Sequence, residues 1–199
     1  MKKKLLITLS VVACAVLLVV GSIAGTIAYL TSTQTVTNTF TVGDVTITMT
    51  ETDVDGSTSG QAGTGRDVAN TYKLIPGKTY TKDPVIYVGA DSESCYLFVK
   101  ITNGMAAIET DEEAKTVIGQ MKEKGWVAFN AAEGVYYKTT AVNAGAEVSV
   151  FDTVTVSGTV NNTTLATYDA SELKVVAYAI QAEGLTADQA GVALGFIKA

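Results

Sequence analysis

Histidine is absent from this chain. That removes Ser-His-Asp and Cys-His catalysis, and with them His-ligated zinc, the HExxH arrangement included. Cysteine is scarce: Cys14 lies in an apolar run near the start, and Cys95 stands alone beyond it. Without the leader no intrachain disulfide can form. Cys95, in the strand-like run 94–101, is therefore expected as a core thiol, with an intermolecular disulfide as the alternative. Proline occurs twice, at Pro76 and Pro84. Both flank predicted strands, and no Gly- or Pro-rich linker divides the chain. Basic residues are also few. Setting aside Lys2, Lys3 and Lys4 leaves 11 basic against 20 acidic residues, a net charge near −9. An acidic surface with no basic cluster argues against nucleic-acid binding and against adhesion to anionic lipid. It favours solubility and repulsion between copies.

What is present begins with three lysines and an apolar run, Leu5 to Val20. As a helix that run spans about 24 Å, short of a hydrocarbon core of about 30 Å. Small residues follow. Thr26 and Ala28 occupy the −3 and −1 positions of a signal-peptide cleavage site, which predicts a cut between Ala28 and Tyr29. Residues 1–28 are then a signal peptide, and the mature protein is secreted. An uncleaved N-terminal anchor, the chain's one route to a membrane, is one alternative. Lipid attachment at Cys14 is another, although Ala15–Val20 stays apolar where a polar tether is expected. Export without disulfides suits a Gram-positive exterior.

Beyond the leader the periodicity is mostly that of strands. Phe40 and Val42 share one parity and Val45, Ile47 and Met49 the other, with a bulge or bend at Gly43-Asp44. Residues 51–67 read as a polar loop, and Tyr72–Tyr80 as a strand turning at Pro76-Gly77. Pro84–Val88 and Cys95–Thr102 read as strands, and Gly125–Phe129 with Val135–Lys138 as a hairpin. Val148, Val150, Val154 and Val156 alternate in two pairs. Leu173–Gln181 is apolar throughout, as in a buried central strand. One amphipathic helix is predicted over about 111–124, from Ala114, Val117, Ile118 and Met121, with Thr110 and Glu113 as a capping box and Gly125 as its stop. Thr186 and Gln189 predict a short C-terminal helix. About eight short strands predict an all-β, two-sheet sandwich, a single domain over 41–199.

Few residue groups suggest chemistry. Asp53-Val54-Asp55-Gly56 is half of a calcium loop without its distal glutamate, and reads as an acidic turn. The Gly60–Gly65 run lacks the Gly-Lys-Ser/Thr ending of a phosphate cradle. Glu112 and Glu113 suit the first turn of a helix. Trp126, Phe129, Tyr136 and Tyr137 read as cross-strand packing, with a carbohydrate-binding face as the sharper alternative. No catalytic residue, cofactor site or metal site is assigned.

Several segments together resemble one family. They are Gly25-Thr26-Ile27-Ala28-Tyr29-Leu30-Thr31, then Asn38-Thr39-Phe40-Thr41-Val42-Gly43-Asp44-Val45, then Pro76-Gly77 with Thr81-Lys82-Asp83-Pro84. Ser94–Val99, Gly125-Trp126, Tyr136-Tyr137 and Ala177–Ala182 follow in order. This pattern is similar to the TasA/camelysin family across nearly the whole chain. The resemblance implies export through a SipW-like signal peptidase and a jelly-roll β-sandwich. It implies polymerisation into extracellular biofilm-matrix fibres, either with itself or with related matrix subunits. In such fibres the N-terminal segment of one subunit completes a sheet of the next. The donor here would be residues 29–40, whose Thr31, Thr33, Thr35, Val36, Thr37 and Phe40 suit an added strand. Camelysin is classed as a metallo-endopeptidase. Without histidine or a zinc motif the residues give no basis for that activity, which stays an alternative beside a surface adhesin.

Overall fold

The computed structural model describes residues 3–4, 12–17, 44–56, 65–168 and 171–199. Residues 1–41 and 42–199 form two units, each described by itself. In the first, residues 12–17 form helix α1, with Val12, Val16 and Leu17 exposed. Among the described residues no helix is long and apolar enough to cross a membrane.

The second unit is mostly β, built from three antiparallel sheets. The first sheet joins β1 (Ile47–Thr52), β2 (Arg66–Asp67), β4 (Val85–Val88) and β8 (Glu147–Ser149) in the order β2-β1-β4-β8. The second joins β5 (Cys95–Asn103), β6 (Val127–Asn130), β7 (Val135–Tyr137) and β10 (Leu173–Gln181) in the order β10-β5-β7-β6. The third pairs β3 (Thr79–Thr81) with β9 (Thr153–Thr155).

The period-2 pattern of β5 explains the layering. Cys95, Leu97, Val99 and Ile101 point into the main core, where they meet Ile86 and Val88 of β4, with Val117, Met121, Trp126 and Phe151. Cys95 is a free, fully buried thiol there. The other face of β5 is also covered. Phe98 is fully buried against Phe129 and Tyr137 beneath α4 (Ala187–Ala193) and Phe196. α4 lies so close to this sheet that a Cβ on Gly191 would sit 2.6 Å from Phe129 Cε2 and 2.9 Å from Phe98 Cε1. The hairpin expected around residues 130–134 is present, closed by a 3-10 turn and by Gly134 at φ 70°. At Gly134 any side chain would also run into the Ile101 carbonyl.

Several expectations need correction. The helix predicted over 111–124 is a 3-10 turn at Glu113–Lys115 followed by α2 (Val117–Glu123). Its cap is Thr116, whose hydroxyl accepts from the Gly119 N–H, and not Thr110. Thr110 instead accepts from Glu112 N–H in a local turn. Gly125 does end the helix, at φ 77°. The C-terminal helix α4 starts at the capping box of Thr186 and Gln189. Residues 51–67 are not all loop, because β1 continues to Thr52 and β2 returns at Arg66. Residues 72–78 form no strand; Leu74 packs with Tyr80 and Ile108 in a small separate cluster. The third sheet and helix α3 (Asn162–Ala166) add to the two-sheet expectation. β10 pairs with β5 along its full length, yet among the described residues it is the outermost strand of its sheet, and it is half-buried where a buried central strand was expected.

Candidate functional site

The phase of the β5–β10 ladder decides which backbone groups of β10 face outward. Ala182 N–H donates to Ser94 C=O at 2.8 Å, and Gly104 N–H donates to Glu172 C=O at 2.9 Å. Both are hydrogen-bonded pairs of even-numbered β10-side residues, so the ladder uses residues 174, 176, 178 and 180. In an antiparallel pair the alternate residues turn N–H and C=O away from the partner. Leu173, Val175, Ala177, Ala179 and Gln181 therefore point these groups out from the sheet. Among the described residues β10 pairs with β5 alone. Their side chains meanwhile face the main core, where Leu173, Val175, Ala177 and Ala179 are only partly covered.

β1 leaves a matching opening. Ile47–Thr50 pair with β4 on one side, and β2 covers only Glu51 and Thr52 on the other. Between this strand and the start of β10 lies a groove of about 1020 Å³, with Met49, Leu74, Met105, Leu165, Leu173 and Val175 as its apolar lining. Its polar wall is already satisfied. Lys82 Nζ lies 2.7 Å from Glu51 Oε2, and Asn70 Nδ2 donates to Glu51 Oε1 at 2.9 Å. Tyr72 O–H donates to Thr81 C=O at 2.9 Å. Burial, then the nearby Glu51, Asp83 and Asp55 carboxylates, push its phenol far up. Beside it Arg66 pairs with Asp83 at 3.3 Å. Burial would raise the Asp83 carboxyl, but the Thr52 N–H and hydroxyl and the Arg66 guanidinium hold it below the usual range. The groove is thus an apolar trough with an internally paired rim.

The loop anticipated as an acidic turn gains one neighbour. Asp53, Asp55 and Asp67 each offer a carboxylate oxygen within 4.8 Å of the others, so they could hold a cation. Their oxygens also serve the backbone. Asp53 accepts from Asp55 and Gly56 N–H, Asp55 from Thr71 N–H, and Asp67 from Val68 N–H. That is the chemistry of an Asx-stapled loop.

Charge is unevenly spread along β10. Hydrogen bonds tie the segments 44–46, 89–94, 139–147 and 182–186 together at its Gln181 end. They carry Asp44, Asp91, Glu93, Glu147 and Glu183, all exposed, and no lysine or arginine. The groove end is mixed, with Lys73, Lys82 and Lys174 beside Glu51, Asp67 and Glu172.

The residues singled out by sequence divide into two groups. Ala28, Tyr29, Thr31, Thr33, Thr35, Val36, Thr37 and Phe40 lie outside the described residues. Trp126, Phe129, Tyr136 and Tyr137 are buried, at 2%, 1%, 7% and 7% exposure. Trp126 Nε1 donates to Ser149 C=O at 3.0 Å, and Lys138 Nζ sits over its ring at 4.9 Å. These rings are structural, and none presents an open face to a sugar. Sequence reasoning missed the β10 edge. Its one available signal was mild: a long Val/Ala/Ile run interrupted by Lys174 and ended by Gln181.

Together these features define a β-rich domain in which, among the described residues, the β10 edge of the second sheet adjoins an apolar groove. No family model matches this chain, and no curated protein or solved structure is significantly similar to it.

Proposed function

We propose that this protein is a secreted structural subunit of extracellular matrix fibres, and that it assembles by β-augmentation. Residues 29–40 of one copy add as a strand to β10 of another, and their apolar side chains enter the groove between β10 and β1. The observation that carries this reading is the outward row of N–H and C=O groups on Val175, Ala177 and Ala179, above partly covered apolar side chains. A nine-residue strand that has a neighbour on one side alone among the described residues is a template for another strand. The segment's threonines, with Val36 and Phe40, have the β-branched and aromatic character such a strand needs. In this reading residues 1–28 are removed by a SipW-like signal peptidase between Ala28 and Tyr29. The two larger sheets form the jelly-roll-like sandwich that the TasA/camelysin resemblance implies, and the partners are further copies or related matrix subunits. The peptidase and adhesin alternatives gain no observation: the hairpin aromatics are buried and the aspartates staple their own loop.

The test is electron microscopy of the purified chain beginning at Tyr29, compared with a chain lacking 29–40. The expected result is fibres from the first and folded monomers from the second. Fibres from the shortened chain would remove the donor-strand mechanism.

A further inference from the structure

Resting on the fibre reading above, we infer that the added strand runs antiparallel to β10 and comes from a second copy. The acidic end of each donating subunit then seats against the groove end of its acceptor. The position of Asp44 leads there. Glu93 N–H donates to Asp44 C=O at 2.9 Å, and Ser94 C=O accepts from Ala182 N–H. The chain therefore enters the domain beside the Gln181 end of β10. A strand of nine residues spans about 26 Å from first to last residue, eight steps at about 3.3 Å each. Four residue steps from Phe40 to Asp44 reach about 14 Å at most. With the whole segment laid on the edge, a subunit's own Phe40 cannot reach its own Leu173. Self-pairing would have to run parallel to β10.

Two further observations choose between senses. All strand pairings among the described residues are antiparallel, and antiparallel ladders are the more stable per residue. Charge speaks against the other intermolecular option. A parallel strand donated by a second copy would bring its Asp44 end to the acceptor's Gln181 end, five exposed carboxylates against five. An antiparallel strand brings that acidic end to the acceptor's Leu173 end instead, where Lys73 and Lys174 are exposed beside the groove. Repetition of this contact is heterologous and open, and gives a polar head-to-tail filament. Phe40, the last residue of the donor, then lies at the Leu173 end, where the apolar trough is.

Paired cysteines test the sense directly. In the chain beginning at Tyr29, Thr33→Cys and Gln34→Cys are made in turn, so that both strand faces are sampled. Each is combined with Gln181→Cys or with Lys174→Cys, both exposed positions, and Cys95 stays buried. The expected result after mild oxidation is a ladder of disulfide-linked oligomers on a non-reducing denaturing gel with Gln181→Cys, at least tenfold stronger than with Lys174→Cys. A cross-linked monomer with Lys174→Cys would show parallel self-pairing and overturn the inference. A ladder with Lys174→Cys would show parallel donation and overturn it too. Fibres that need residues 29–40 but cross-link at neither position would overturn it while leaving the fibre reading intact. Fibres indifferent to deletion of 29–40 would remove both.

Discussion

Gln120 ties α2 to β9 and to the residue before it. Its amide oxygen accepts from Asp152 and Thr153 N–H, each at 3.0 Å, and its Nε2 donates to Thr153 C=O at 2.9 Å and Lys115 C=O at 3.0 Å. Truncation would leave these partly buried backbone groups without their side-chain partner, at roughly 1–3 kcal/mol for the set once solvent access is allowed for. Gln120→Ala is therefore expected to lower the urea midpoint by an equivalent amount with the slope unchanged, as read by equilibrium denaturation. Glu109 gives a pH signature. Burial pushes its carboxyl up, against the Asn103 amide and a Val117 backbone hydrogen bond that pull it down. The folded protein thus holds this proton to higher pH than the unfolded chain does. The associated stability is fully present below the ordinary glutamate range and is lost as pH rises from there through the raised folded-state value. Glu109→Gln should therefore gain stability relative to the parent at pH 7 but not at pH 4. An equal difference between the two proteins at both pH values would rule out this titration.

At the scale of elements, β10 makes the sharpest prediction, because the ladder phase assigns each N–H a direction. Ala177 turns its N–H outward, so proline there removes an edge donor without removing a bond to β5. Proline is tolerated on edge strands for this reason. Ala177→Pro is expected to stay folded by circular dichroism and to stop fibre growth in a light-scattering assay. Val176→Pro, which removes a ladder bond, should unfold the sheet instead. Ala177→Pro fibres growing at the parental rate would clear β10 of any role. The same strand shows what patterning can and cannot reveal. Alternation identified β5, the hairpin and the Thr186 cap, because each is local: period 2, a turn glycine, a hydroxyl three residues before a glutamine. Leu173–Gln181 is apolar at both parities since one face meets the main core and the other meets Tyr96, Leu185 and Phe196 under α4. Two covered faces imitate a central strand, and whether a nine-residue ladder has a neighbour on its far side depends on contacts distant in sequence. The groove was illegible for the same reason, as it needs β1, residues 67–74, α3 and β10 together. The start of α2 slipped because Thr110 and Thr116 both precede helix-compatible residues, and only packing of Val117 and Met121 into the core selects the second.

For the whole molecule the decisive quantity is charge. Residues 29–199, the proposed mature chain, carry a net charge near −9, and five of their carboxylates lie in the segments 44–46, 89–94, 139–147 and 182–186, which hold no lysine or arginine. Approaching copies therefore repel at long range, although the proposed antiparallel contact sets that acidic end against a mixed surface. Repulsion of this kind acts over the Debye length, about 30 Å at 0.01 M salt and about 8 Å at 0.15 M. The proposed strand contact would consist of backbone hydrogen bonds and apolar burial, which salt hardly screens. Salt should accordingly act on the rate of encounter more than on the stability of the finished fibre. Raising ionic strength from 0.01 to 0.15 M is expected to speed growth by about tenfold, the lower end of long-range electrostatic effects on association. The concentration of monomer left at the end should change little. Neutralising the acidic end with Glu93→Gln and Glu183→Gln should reproduce part of that acceleration at 0.01 M and reduce the response to added salt. Growth that slows with salt would mean that attraction between the ends, not repulsion between the copies, controls assembly. The two regimes separate on one plot of growth rate against ionic strength for the parent and the double variant.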